Sequence, residues 1–498
     1  MRPKKSLCYF VIFTIFLSFN LLSCGSSGGG GPRPPAAPEG VIATAGDGEA
    51  TIEWSEVTDA DSYNIYWSTA DGVTPANGTK ITGVTSPYLH TPIDYETTFY
   101  YVVTAVNENG ESQPSDQASC TTASLIADAN LRACIKETLG ISRPLTFADL
   151  QGLTDLNCYD RGISDLSGME NCATLGTFNF YNNSVSDLSA LAGLTNLTSL
   201  WAGENQISNT SPLAGLSSLT SINLTSNPLS NLSGIAALTS LQTLFLGSTG
   251  LSDISSLSAL TNLTWLDING NSITNISALS GMTNMSTLYM HNNTITGNIN
   301  ALTNMLNLTG LRAEGNQIND ISALANKTGL VELTLGNNPL GNANMTHLTH
   351  LVNLYYIWLN NTGISDISSL SGMTLLMGIN LADNSIINIS ALSGKTLLQS
   401  YAYLQNNLIV DISPLATSVL LRDLFLTNNQ VVNISALQGF IQPRYLGLMN
   451  NAVTDITPLV NNANLDSGDT VDLVGNPLTG TSIGQINILR DRGVTVWY

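Results

Sequence analysis

The sequence predicts a long solenoid of parallel strands, concave on its sheet face and closed on its convex side by short 3₁₀ or irregular turns, behind a small all-β antiparallel sandwich. Two observations carry the solenoid. Leu153, Leu175, Leu197, Leu219, Leu241, Leu263 and Met285 recur every 22 residues, a spacing that marks stacked repeats. Within each period a short apolar alternation runs into an asparagine, as in Leu263-Thr264-Trp265-Leu266-Asp267-Ile268-Asn269-Gly270-Asn271, the pattern of a strand entering a turn. A third observation carries the sandwich: residues of about 39 to 123 alternate apolar and polar between turn signals.

The chain opens with Arg2, Lys4 and Lys5, then the mostly apolar stretch Leu7 to Leu22. A basic start followed by an apolar run too short for a membrane span reads as an export signal, here residues 1–23. The run ends in Leu21-Leu22-Ser23-Cys24, which resembles the lipobox of bacterial lipoproteins. That resemblance implies cleavage before Cys24, acylation of its thiol and amine, and anchoring by acyl chains at about 0.8 kcal/mol per buried methylene. An ordinary signal peptide with an incidental cysteine is the alternative. Gly25, rather than Asp, follows the cysteine, which in a Gram-negative lipoprotein implies the outer membrane. Residues 24–38 form a flexible Gly/Pro tether.

Strands are expected at Ala50–Trp54, Tyr63–Trp67 and Phe99–Asn107, the last closed by Asn109-Gly110-Glu111-Ser112. Over residues 39–123 this resembles a fibronectin type III domain, with Trp54 as its core tryptophan. Phe99 stands where that family usually has its corner tyrosine. The domain carries no RGD tripeptide and reads as a spacer. A helical cap follows over 124–152: Asp128 as N-cap, Leu131, Cys134, Ile135, Thr138 and Leu139 on the covering face, and a stop at Gly140. With Cys8 removed and Cys24 lipidated, Cys120, Cys134, Cys158 and Cys172 permit three pairings. One bridge from Cys134 to the first repeat, at Cys158, is the expectation; small buried apolar residues are the alternative.

From 153 to 480 each unit reads L-x-x-L-x-L-x-x-N-x-I, about fifteen units in all, the leucine-rich-repeat signature. The short period, with Asp-Ile-Ser-x-Leu after the asparagine, resembles the internalin-like bacterial class. The asparagine column is Asn183, Asn205, Asn227, Asn271, Asn293, Asn316, Asn338, Asn384, Asn407, Asn429, Asn451 and Asn476, interrupted at Arg161, Thr249 and Thr362. Amides can satisfy donors and acceptors of a buried turn together, so a structural ladder is expected. Residues 481–498, with Ile486, Leu489 and Arg490, read as the C-terminal cap.

Charge and motifs exclude several functions. A formal net charge of -20 disfavours a nucleic-acid partner. G-x-S-x-G occurs only as Gly25-Ser26-Ser27-Gly28-Gly29 in the tether and Gly480-Thr481-Ser482-Ile483-Gly484 at the edge of the C-terminal cap, neither directly after a strand, and no H-E-x-x-H occurs, so no catalytic residue, metal or cofactor is assigned. His347-Leu348-Thr349-His350 falls on the convex side by phase and reads as surface. Asp267-Ile268-Asn269-Gly270-Asn271 imitates a calcium loop but lacks the closing glutamate. The concave column between the inward leucines is more informative. Six of its fifteen residues are aromatic (Trp201, Phe245, Tyr289, Trp358, Tyr403, Phe425), against 7% in the whole chain. Neighbouring columns add Trp265, Tyr356, Tyr401 and Tyr445. These ten are the expected ligand-binding residues, in two groups, Trp201 to Tyr289 and Tyr356 to Tyr445, with Arg312 and Thr334 between. Exposed aromatics anchor interfaces, although cross-strand stacking also accounts for them. The expectation is a monomeric, non-enzymatic, surface-anchored protein that meets the membrane through its lipid alone and binds a protein partner. A carbohydrate or cell-wall ligand and a purely structural envelope spacer are the alternatives.

Overall fold

The computed structural model describes residues 32–498; the export signal, Cys24 and the start of the tether lie outside them. Two units meet at Ala123/Ser124.

In the first unit, eight strands follow the alternation of the sequence: β1 (Ile42–Ala45), β2 (Ala50–Glu53), β3 (Ser62–Ser68), β4 (Thr79–Val84), β5 (Tyr88–His90), β6 (Thr98–Asn107), β7 (Gly110–Glu111) and β8 (Ala118–Thr121). They form two antiparallel sheets, β1-β2-β5 and β4-β3-β6-β7, with β8 also on β6. Ile52, Trp54, Tyr63, Ile65, Phe99, Tyr101 and Val103 fill the core. Phe99 is buried without a hydroxyl to offer, and Tyr101 instead shares a hydrogen bond with His90 Nδ1 at 3.1 Å. Glu111 lies against the other face of the larger sheet. Its Oε1 accepts from Asn64, Tyr66 and Thr104 at 2.9, 2.7 and 2.5 Å, while Lys80 reaches Oε2 at 3.1 Å. Burial pushes the Glu111 carboxyl up, but these donors outweigh it and hold the group down at about 2.

The second unit is a solenoid carrying one sixteen-stranded parallel sheet. Each strand is three residues long, and its middle residue points inward: Leu156, Phe178, Leu200, Ile222 and their successors are all buried. Neighbouring strands pair in step, as at Thr177↔Ser199, Phe178↔Leu200 and Asn179↔Trp201. Constant register is what places like positions of successive repeats in straight columns.

The asparagines form the ladder that joins repeats. Asn227 Nδ2 donates to Leu224 O in its own repeat and Ala202 O in the preceding one (3.0 and 2.9 Å), while its Oδ1 accepts from Ile207 N at 2.9 Å. Thr249 and Thr362 keep the local half of this pattern, donating to Leu246 O and Leu359 O. Neither side chain supplies an acceptor to the repeat before it. There the chain reads Asn227-Pro228-Leu229 and Asn338-Pro339-Leu340, and the leucine N–H folds back onto its own asparagine carbonyl at 2.8 and 2.9 Å. Asn476-Pro477-Leu478, the last rung, does the same. The proline turn therefore replaces the missing amide.

On the convex side, 3₁₀ turns such as Ser211–Leu213 begin at an Asp or Asn two residues upstream: Asp187 Oδ1 accepts from Ser189 N at 2.8 Å. One inward convex column, Leu194, Leu216, Leu238, Leu260, is interrupted by two lysines. Lys327 and Lys395 are fully buried. Lys395 Nζ donates to Leu370 O and Ser371 O (2.9 and 2.8 Å), and Lys327 Nζ to Thr303 O at 2.7 Å. Burial pushes Lys395 down to about 8 and Lys327 in the same direction. An extra residue near Asn316 accompanies a two-stranded pair, Thr296–Asn298 with Gln317–Asp320, that the repeat pattern does not foresee.

Both ends are covered. Helix α1 (Ala129–Leu139) starts at Asp128, whose Oδ1 accepts from Asn130 N and Leu131 N, and stops at left-handed Gly140. Asp128 Oδ2 also accepts from Ser164 N at 2.9 Å, tying the cap to the first repeat. Leu131, Cys134 and Ile135 are the buried face, and a disulfide joins Cys134 to Cys158. Thr138 and Leu139 differ from expectation: they sit in the last turn, outside the buried face. Helix α2 (Phe147–Gln151) follows. Near the other end come α3 (Thr457–Asn461) and α4 (Gly480–Asp491), which buries Ile486 and Leu489. The final segment is more than a lid: Thr495–Trp497 pairs in parallel with Thr470–Asp472 as the sixteenth strand.

Candidate binding face

Two residues of each strand flank the inward one and point to the concave side, so the sheet presents two columns in register. Trp201, Phe245, Tyr289, Trp358, Tyr403 and Phe425 lie in one, and Trp265, Tyr356, Tyr401 and Tyr445 in the other. They assemble as two groups. In the first, Trp201 meets Phe245 at 6.0 Å across Asn223, Phe245 meets Trp265 at 5.4 Å, and Trp265 meets Tyr289 at 6.2 Å between ring centroids. In the second, Tyr356 stacks on Tyr401 at 6.3 Å, Tyr401 on Tyr403 at 4.8 Å, and Phe425 on Tyr445 at 4.6 Å. Tyr403 meets Phe425 edge-on at 4.9 Å, and Trp358 Nε1 donates to Tyr401 OH at 2.7 Å.

Glycine makes part of this possible. Tyr356 and Tyr401 converge over Gly378, on the strand between theirs, where a Cβ would strike both rings. The Tyr445 ring leans over Gly447 in the same way. Eight of the ten aromatic residues are therefore half-buried by one another, and Trp201 and Trp265 remain 39% exposed. Cross-strand stacking and an outward apolar surface coexist on this face. Trp497 extends the second group, its ring 6.5 Å from Tyr445. It escapes the repeat pattern because its strand follows α4 and carries no asparagine.

Between the groups lies a closed polar bridge. Arg312 sits 4.7 Å over the Tyr289 ring and donates to Glu332 at 2.7 Å. Burial opposes its charge, but Glu332 outweighs that and holds the guanidinium protonated. Thr334 donates to Glu314. Burial pushes the Tyr401 and Tyr445 phenols up, so both are neutral donors at neutral pH. Asn183 through Asn476 run behind the sheet, with their amides engaged in backbone bonds. Among the described residues no cluster of three or more His, Cys, Asp or Glu side chains could hold a metal.

A family model described as leucine-rich repeats (2 copies) matches residues 195–237 and 261–304. Three solved structures share the fold. The leucine-rich-repeat protein LIC12759 of Leptospira interrogans is 18% identical, with a TM-score of 0.60 over 71% of this chain and 97% of that one. The functional domain of InlJ from Listeria monocytogenes is 21% identical, with a TM-score of 0.57 over 70% and 81%. The plant peptide hormone receptor RGFR1, in complex with RGF2, is 20% identical, with a TM-score of 0.59 over 71% and 64%. A stretch of 122 residues is 34% identical to an amylopullulanase of Thermoanaerobacter thermohydrosulfuricus, spanning 23% of this chain and only 8% of that enzyme. The chain thus carries leucine-rich repeats on a solenoid of the same fold as the three solved structures.

Proposed function

We propose that this chain is an exported, non-enzymatic lipoprotein, anchored at Cys24 in the cell envelope, that binds a protein partner along its concave face. The observation that carries this reading is the pair of aromatic groups held in register on the sheet, an apolar surface on an otherwise acidic, amide-rich molecule. Rigid aromatic side chains supply large contact area at little cost in conformational entropy, and interface hot spots are enriched in them. The RGFR1 solenoid, of the same fold, is a peptide hormone receptor in complex with RGF2, which supports a polypeptide ligand here. The antiparallel unit before the repeats, read as a fibronectin type III domain, together with the tether holds the binding face away from the membrane. Neither a cofactor nor a second copy of the chain enters this reading.

The test replaces Trp201, Trp358 and Tyr403 by Ser together and compares the labelled proteins on intact cells. Binding of the triple variant should fall by at least about tenfold, or about 1.4 kcal/mol, with an unchanged circular dichroism spectrum. Equal binding by both proteins refutes the concave site. Binding to glycan arrays with no protein cross-linked on cells would replace the polypeptide ligand by a carbohydrate.

A further inference from the structure

At the N-terminal end of the concave face, the last turn of α1 overhangs the first three strands and leaves a depression of about 620 Å³, within the range of small-ligand sites. Thr138 forms one wall. Register sets the floor as two rows: Asp155, Thr177 and Ser199 in one, Asn157, Asn179 and Trp201 in the other. The disulfide from Cys134 to Cys158 joins α1 to the residue after the first strand, so wall and floor are covalently tied.

The donors and acceptors here are only half used. Asn157 Oδ1 accepts from Tyr159 N at 3.3 Å and Asn179 Oδ1 from Tyr181 N at 3.0 Å, which fixes both amides with Oδ1 toward the sheet. Their Nδ2 groups have no partner among the described residues, so two in-register donors are directed away from the backbone. Trp201 Nε1 donates to Ser199 Oγ at 3.1 Å, which holds the indole beside the amides with its ring 39% exposed. Asp155 accepts from Thr154 at 3.0 Å and from Thr177.

We infer that this depression is a subsite for a neutral sugar ring, with Trp201 stacked on the C–H face of the ring and Asn157 and Asn179 donating to adjacent hydroxyls. The lining excludes the other common ligand classes. It holds no cation to receive a phosphate or carboxylate, and Asp155 repels either. A lipid or an aliphatic side chain would meet the apolar part of the lining but leave the amide donors unpaired. The single carboxylate of the lining is already bonded by two threonines. A ring that is apolar on one face and hydroxylated at its rim satisfies the indole and the amides together. The subsite shares only Trp201 with the aromatic groups proposed to bind protein, so it stands or falls separately.

The experiment uses the full mature chain with maltohexaose, cellohexaose and N-acetylchitohexaose, read by saturation-transfer-difference NMR and calorimetry. Ribonuclease B, with its glycan present and enzymatically removed, supplies a fourth and a fifth probe. At least one glycan-bearing probe should bind: a free oligomer indicates a polysaccharide source, and ribonuclease B lost on deglycosylation indicates a glycan carried by a protein. Asn157→Asp with Asn179→Asp keeps both Oδ1 acceptors and hence the fold, but removes the donors; affinity should drop at least about tenfold with an unchanged circular dichroism spectrum. Trp358→Ser with Tyr403→Ser should leave sugar binding intact. The inference is overturned if no probe binds up to about 10 mM, if the double Asp variant binds as before, or if the Trp358/Tyr403 variant loses binding.

Discussion

Lys395 occupies an inward position that most repeats fill with leucine or methionine, and the sign of its effect on stability follows from its environment. The side chain is fully buried and donates to two carbonyls of the preceding repeat, and burial lowers its ordinary value of 10.5 to about 8. Below about 8 the lysine is charged in both folded and unfolded chains, and the cost of burying the charge is fully present. Between about 8 and 10.5 the unfolded chain binds more protons than the folded one, so stability rises with pH across that window. Urea melts at pH 7 and pH 10 should show a gain of about 2–3 kcal/mol from this group, and Lys395→Met should lose most of that gain. Parallel pH profiles for the two proteins would show that Lys395 titrates normally. Asn271 is a different case, because its value lies in the groups it pairs. Its Nδ2 donates to Leu246 O and Ile268 O, and its Oδ1 accepts from Thr249 N and Leu251 N. Asn271→Ala orphans several buried groups at once and should cost about 3 kcal/mol or more. Hydrogen exchange should localise the loss to the repeats on either side, as expected where each repeat contacts only its neighbours.

At the scale of elements, the N-terminal cap depends on a short helix whose buried face holds only three side chains, Leu131, Cys134 and Ile135. The disulfide closes a separation of 24 residues, and the chain-entropy relation assigns a loop of that length about 3.5 kcal/mol. Cys134→Ser with Cys158→Ser should therefore raise amide exchange in Asp155–Asn157 and Thr177–Asn179 while leaving Tyr401–Tyr403 protected; uniform exchange along the array would contradict a local cap. This end of the molecule was legible in the sequence, since a capping aspartate, a three-to-four spacing and a terminal glycine are local signals. The columns of the concave face were legible for a similar reason: a period of about 22 residues, with the asparagine column marking where it lengthens, fixes phase without any knowledge of contacts. What phase does not encode is how side chains meet across a strand. The convergence of Tyr356 and Tyr401 over Gly378 depends on rotamers and on a glycine that belongs to no motif. The Trp497 strand follows a helix and has no asparagine, so its place in the column appears only once the sheet is built. The buried lysines are hidden from the sequence although the phase of Lys327 and Lys395 matches Leu194 and Leu216, because lysine side chains are ordinarily exposed.

At the scale of the whole solenoid, the two aromatic groups sit on one continuous sheet, which constrains any partner that touches both. Twelve strands run from Ser199–Trp201 to Tyr445–Gly447, a path of about 53 Å at about 4.8 Å per strand. Three strand steps, about 14 Å, separate Tyr289 from Tyr356 and are occupied by the Arg312–Glu332 bridge. A small compact ligand would engage one group alone. An extended polypeptide would engage both, and its second contact would then be intramolecular, at an effective concentration in the mM range. Two double variants separate these cases: Trp201→Ser with Phe245→Ser, and Tyr403→Ser with Phe425→Ser. If one partner spans both groups, each variant should speed dissociation from cells by about tenfold or more, and their combination should approach the product of the two. The association rate should change little, because long-range charge and not ring contact governs encounter. If one variant abolishes binding and the other leaves the dissociation rate unchanged, the partner occupies a single group, and the remaining aromatic surface is sheet packing.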